Sequence, residues 1–160
     1  MKTASVKELK TELKDCSNSE LVELILRLSK FKKENKDLLT YLLYKASDED
    51  AYISSIKIEV EQLFKEINTS SYYFMRKSVR KILRIVKTYI RYSKKKETEV
   101  ELVLYFCKQL KGLKPSIMRN TTLKNLFERQ ILSIEKSVAT LHEDLQFDYT
   151  VELQKLKNIS

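Results

Sequence analysis

The chain has 160 residues, a net charge of +9, and only one Gly and one Pro. Average usage at this length would give about 11 Gly and about 8 Pro. Sandwiches, barrels and doubly wound sheets need these residues at many tight turns, so the composition excludes them and predicts an all-α fold. We expect a single domain over 1–160, built as an irregular antiparallel helical bundle or as stacked helical hairpins of seven to eight helices.

The composition also argues against most catalytic chemistry. One Gly rules out a glycine-rich phosphate loop, and one His rules out the paired Glu-x-x-His ligands of four-helix di-metal sites. That histidine, His142, is expected at the surface near a helix C-terminus. We therefore predict no catalytic residues, no metal site and no cofactor, and the chain is not expected to be an enzyme.

The N-terminus runs directly into charged residues, without the apolar stretch of a signal peptide. The longest run without a charge is nine residues, from Ile67 to Met75, whereas a membrane-spanning helix needs about 20. Cys16 and Cys107 do not form the framework of a secreted domain, and Cys107 is expected to be a buried, unreactive thiol. These features predict a cytoplasmic protein with no membrane span.

Four capping boxes mark predicted helix starts. In each, a Ser or Thr at the N-cap accepts a backbone N–H, and an acid three residues later reaches back to the N-cap. They lie at Ser5–Glu8, Ser17–Glu20, Ser47–Asp50 and Thr98–Glu101. They begin the predicted first, second, fourth and sixth helices, and apolar spacing predicts a third helix over residues 35–45.

Later boundaries follow from breaks in the pattern. The polar segment 68–71 separates the fourth helix from a fifth, predicted over 72–93. Gly112 is expected to be a left-handed cap of the sixth helix, with Pro115 following it. One long helix is predicted over 122–146, and a short terminal helix over about 150–157.

The positive charge is concentrated in one segment. Residues 1–66 sum to −1 and residues 97–160 to zero, while residues 67–96 hold ten basic and no acidic side chains. We call these ten residues the basic ridge. They are Arg76, Lys77, Arg80, Lys81, Arg84, Lys87, Arg91, Lys94, Lys95 and Lys96.

Helical geometry places the ridge on one side of the fifth helix. At about 100° per residue, the cations from Arg76 to Arg91 fall on one arc. The apolar residues Met75, Val79, Ile82 and Val86 fall on the opposite arc, which predicts an inner face in the core and an outer face of like charges. A helix that needed only solubility would intersperse Glu among those cations.

The ridge suggests a non-enzymatic module that binds a polyanion, with nucleic acid first. Lys and Arg along a helix can follow phosphates, and the guanidinium fork pairs with phosphate oxygens. Tyr73 and Tyr92 are candidates to stack on bases. The alternative partner is an acidic protein surface in a protein–protein interaction or adaptor role.

Three other interpretations of the ridge are open. Acids of neighbouring elements, either residues 48–50 or Glu97, Glu99 and Glu101, would neutralise the ridge if they fold against it. A basic amphipathic helix can also lie on a membrane surface, but this apolar face has the spacing of a domain core. An enzyme without a recognisable motif is the most distant option. The oligomeric state is not predicted.

The segments Lys7–Leu13 and Ser19–Leu24 read Lys-Glu-Leu-Lys-Thr-Glu-Leu and Ser-Glu-Leu-Val-Glu-Leu. With them, the chain resembles small bacterial all-helical proteins of unknown function. The resemblance extends to the basic helix near residue 80 and to Leu104-Tyr105-Phe106. It implies a helical bacterial protein and carries over no activity and no site residues.

Overall fold

A computed structural model of the chain describes residues 1–158, and over that range the fold is all-α, with 81% helix and no strand. The prediction of fold class is confirmed. The eight α-helices are α1 (Val6–Lys14), α2 (Asn18–Phe31), α3 (Lys33–Thr40), α4 (Glu49–Lys65), α5 (Tyr72–Ser93), α6 (Lys96–Lys111), α7 (Thr121–Val138) and α8 (Glu143–Asn158). A π-helical turn covers Tyr41–Lys45, and a 3₁₀ turn covers Ile117–Arg119.

The chain divides into two compact units, one over Met1–Tyr44 and one from Lys45 onward. In the first unit, α1 and α2 begin with the predicted capping boxes of Ser5 with Glu8 and Ser17 with Glu20. Helix α2 packs against α3. The expectation of a single domain over 1–160 stays a prediction.

The second unit is organised around α6, which packs against α4, α5, α7 and α8. The hydroxyl of Tyr52, near the start of α4, donates to the carbonyl of Tyr89, near the end of α5, so these helices are antiparallel. Phe64 at the end of α4 packs against Phe106 of α6, with ring centroids 5.5 Å apart. Helices α4 and α6 are therefore parallel, and α5 runs opposite to both.

Two of the four predicted capping boxes are wrong. Helix α4 is capped by Asp48, whose carboxylate accepts from the N–H of Ala51, and not by Ser47. Helix α6 begins at Lys96, so Thr98 lies inside its first turn, buried, with its hydroxyl donating to Glu49. Asp48 takes the N-cap role one residue after Ser47, and Thr98 has a distant partner that the local pattern does not show.

Two later boundaries also differ from the prediction. Gly112 has a φ of −75°, so it ends α6 in a right-handed conformation, and the one positive φ over residues 1–158 belongs to Lys94. The helix predicted over 122–146 is interrupted between Val138 and Glu143. His142 consequently precedes the N-terminus of α8 and does not lie near a helix C-terminus, though it is exposed as expected.

Candidate nucleic-acid interface on helix α5

Helix α5 is held in place by its apolar side. The hydroxyl of Ser71 accepts from the N–H of Phe74 at the N-cap. Met75, Val79, Ile82 and Val86 are at most 2% exposed, and the helix packs against α4 and α6. The helix ends where Lys94 turns into the left-handed conformation, with a φ of 58°. The buried side fixes which way the opposite side of α5 faces.

The basic ridge lies on the solvent side. Arg76 is half-buried, and the other nine members are exposed. Within α5, the central row of the ridge recurs at intervals of three or four residues, which are neighbouring positions on one helix face. From Arg76 to Arg91 this row is about 23 Å long at 1.5 Å per residue. The row consists of Arg76, Arg80, Arg84, Lys87 and Arg91.

In the part of the chain that the structure describes, carboxylates pair with the ridge only at its C-terminal end. The Nζ of Lys95 is 3.1 Å from Oε2 of Glu49, and the Nζ of Lys96 is 2.8 Å from Oε2 of Glu99. Over the 158 described residues, the other eight members form no ion pair. They are Arg76, Lys77, Arg80, Lys81, Arg84, Lys87, Arg91 and Lys94.

Glu101, another of the acids named as neutralisers, is engaged elsewhere. Glu101 accepts a hydrogen bond from the Nζ of Lys57 at 2.5 Å and one from the hydroxyl of Tyr149 at 2.9 Å. Burial acts to raise the pKa of Glu101, but the hydrogen bonds from Lys57 and Tyr149 outweigh it and lower that pKa below its usual value. This carboxylate is charged at neutral pH and is committed to a contact among α4, α6 and α8.

Glu49 performs a similar role about one turn away, at the start of α6. One of its carboxylate oxygens accepts from the hydroxyls of Ser93 and Thr98, and the other pairs with Lys95. The Glu49 side chain is only 15% exposed. Glu49 therefore links the start of α4 to the junction between α5 and α6.

The two tyrosines proposed to stack on bases differ in exposure. Tyr73 is 63% exposed and lies near the N-terminal end of the ridge. Tyr92 is only 9% exposed and packs edge-on against Tyr89, with ring centroids 6.1 Å apart. A buried ring offers no face to a base, so the expectation for Tyr92 is corrected.

Sequence reasoning missed Phe74 as a neighbour of the ridge. Its ring is 44% exposed and meets the Tyr73 ring edge-on, with centroids 5.4 Å apart. The run of three aromatic residues at 72–74, shortly before the first arginine of the ridge, was the available signal. Together they form an exposed aromatic corner beside the cations.

The remaining candidates for chemistry lie apart from the ridge. Burial raises the pKa of the Cys107 thiol to about 12. Within residues 1–158, His, Cys, Asp and Glu side chains form no group of three or more that could hold a metal ion. None of the helices in that range combines the length and apolar character needed to cross a bilayer.

The chain was compared with models of protein families, with curated proteins and with solved structures, and none of the three comparisons gave a match.

Proposed function

We propose that the chain is a non-enzymatic binding module whose basic ridge on α5 contacts the phosphates of a nucleic acid. The observation that carries the proposal is the set of eight ridge cations without a carboxylate partner among residues 1–158. Like charges at i,i+4 spacing repel by a few tenths of a kcal/mol per pair. An anion in front of the ridge would relieve that repulsion.

The shape of the ridge favours a long polyanion over a small anion. Its central row is about 23 Å long, and a DNA duplex carries one phosphate per roughly 1.7 Å of axis, counting both strands. A row of this length would meet several phosphates at once. Four of its five members are arginines, whose planar guanidinium pairs with two phosphate oxygens.

The aromatic corner favours nucleic acid over an acidic protein. Tyr73 and Phe74 are exposed at the N-terminal end of the ridge, where an unpaired base could stack on a ring while the cations hold its phosphates. The cations alone would be enough to attract an acidic protein. The membrane-surface alternative is disfavoured because the apolar side of α5 is already buried.

The decisive experiment is a titration of the protein into labelled duplex DNA, single-stranded DNA and RNA, at low and moderate salt, followed by fluorescence anisotropy. With four or five phosphate contacts, log affinity for a duplex should fall against log salt with a slope of roughly −3.5 to −4.5. The triple variant Arg80→Glu, Arg84→Glu, Lys87→Glu should abolish binding. Helicity should be retained, because these side chains point into solvent.

A matched control separates the ridge from net charge. The triple variant Lys124→Glu, Arg129→Glu, Lys136→Glu changes three exposed cations on α7. Both triple variants reduce the net charge from +9 to +3, because three cations become three anions. Binding that survives the α5 changes, or is lost equally in both variants, contradicts the proposal. Affinity for acidic polypeptide but for none of the three nucleic acids would instead support the protein-partner alternative.

A further inference from the structure

Helix α2 carries an apolar side that the structure leaves exposed. Leu24 is 43% exposed, Leu28 is 62% and Phe31 is 78%. The one buried residue of this 14-residue helix is Ser29. An isolated helix of this length is marginal in water, and amphipathic helices gain most of their stability by covering the apolar side. The exposed side of α2 therefore has the character of a contact surface.

The charges of α2 lie along one edge of that surface. At about 100° per residue, Leu24, Leu28 and Phe31 occupy an arc of roughly 60°. The charged residues Glu20, Glu23, Arg27 and Lys30 all fall on the same flank of this arc, whereas the opposite flank is uncharged. Glu20, Glu23, Leu24 and Arg27 line one shallow groove of about 340 Å³ together with Cys16.

The order of these charges is self-complementary. The two acids come first and the two bases follow, and the pairs Glu23 with Arg27 and Glu20 with Lys30 are both centred on residue 25. If two copies of α2 pack antiparallel about that point, Glu23 faces Arg27 of the other copy and Glu20 faces Lys30. In an antiparallel pair each flank meets the same flank of its partner, so all four charges are matched. A parallel pair would set the charged flank against an uncharged one.

We propose that α2 docks on a second copy of this chain, antiparallel and centred on Ile25, with Leu24, Leu28 and Phe31 in the contact. A twofold arrangement of this kind uses the same patch on both partners. The proposal rests on charge complementarity and on the exposed apolar side of α2, and it is independent of the function proposed for α5.

Sedimentation equilibrium over a range of protein concentrations, in reducing buffer, tests this proposal. The full chain should move from a mass of 19.0 kDa towards twice that value as its concentration rises. Glu23→Arg places like charges opposite each other at two symmetric contacts, and the dimer should weaken by about tenfold or more. Arg27→Glu should have the same effect, and Leu28→Glu should abolish the dimer.

The double variant Glu23→Arg, Arg27→Glu supplies the sharpest test. It exchanges the two charges and so restores the two symmetric pairs of opposite charge between positions 23 and 27. Its dimer should be close to wild type in strength. Lys136→Glu on α7, an exposed charge reversal elsewhere, should leave the association unchanged, and circular dichroism should show equal helicity in all variants. A monomer at every concentration, or a dimer insensitive to these changes, overturns the proposal. A double variant whose dimer is no stronger than the dimers of the two single variants also overturns the proposal.

Discussion

Two regions of the second unit use charge in opposite ways. Where α4, α6 and α8 meet, Lys57, Glu101 and Tyr149 are linked by short hydrogen bonds, and Glu49 joins α4 to Ser93 and Thr98. On the outer side of α5, the cations pair with no carboxylate of residues 1–158 except at the C-terminal end. The first region connects helices, so its charges contribute to stability. Within the described residues, the central row of the second region forms no ion pair, and the proposed function assigns that row to a ligand.

The largest effect on stability is expected at Glu49. Glu49→Ala leaves the hydroxyl of Thr98, which is 1% exposed, without its acceptor, and it also removes the partner of Lys95. Loss of a buried acceptor of this kind costs about 2–3 kcal/mol. Urea denaturation at neutral pH should record that loss in the free energy of unfolding.

The exposed neighbour Asp50 provides the control for this measurement. Asp50→Ala should change the free energy of unfolding by no more than about 0.5 kcal/mol. Equal losses in the two variants would show that Glu49 does not join the helices in solution. Nucleic-acid binding should be close to wild type in both variants, since the central row of the ridge is untouched.

A smaller and pH-dependent effect is expected at Glu101. Since its pKa is lowered in the folded state, its contribution is present above the unfolded pKa near 4.5 and is lost as the pH falls through the lower folded value. Glu101→Gln should lower the free energy of unfolding by about 1 kcal/mol at neutral pH.

The check on Glu101 is a pair of denaturation series run from about pH 6 down to about pH 3. The gap in unfolding free energy between wild type and Glu101→Gln should narrow as the pH falls, because protonation makes the native carboxyl resemble the amide. A gap that stays constant over this range would mean that the carboxylate charge is not what holds Lys57 and Tyr149.

The smallest effect on stability is expected on the ridge, although binding should suffer most there. The triple variant Arg80→Gln, Arg84→Gln, Lys87→Gln removes like charges at i,i+4 and i,i+3 spacing. The free energy of unfolding should be unchanged or higher by up to about 0.5 kcal/mol. Thermal melts would measure this, and a loss greater than about 1 kcal/mol would show that these cations have partners in the fold.

Local signals predicted much of the fold. The capping boxes at Ser5 and Ser17 were read correctly, and the predicted range 72–93 coincides with α5. Thr98 was misread because its hydroxyl is taken by Glu49, 49 residues away in the chain. No local pattern contains that contact.

The break between α7 and α8 was hidden for a different reason. Val138, Leu141 and Leu145 keep helical spacing across it, so periodicity alone predicts a continuous helix. In the structure the Nε2 of Gln146 donates to the carbonyls of Ala139 and Leu141, which are not satisfied by helix continuation. A side-chain cap of this kind becomes visible only with coordinates.

For the candidate site, the sequence predicted the two sides of α5 but not the pairing of its charges. The inner residues Val79 and Val86 follow from spacing alone, and both are buried. Which carboxylates reach the ridge depends on how α4 and α6 pack, because Glu49 lies 46 residues before Lys95. Tyr92 was misjudged although the ring that packs against it, Tyr89, lies three residues earlier on the same helix, a spacing that the sequence shows.

The two cysteines differ enough to be told apart by a chemical reagent. Cys107 is buried in the core, and its thiol stays protonated at neutral pH. Cys16 is partly accessible to solvent just after the end of α1. A maleimide dye should therefore attach at position 16 of the unaltered chain. Single-site labelling would provide a fluorescent reporter next to α2 without removing a native residue.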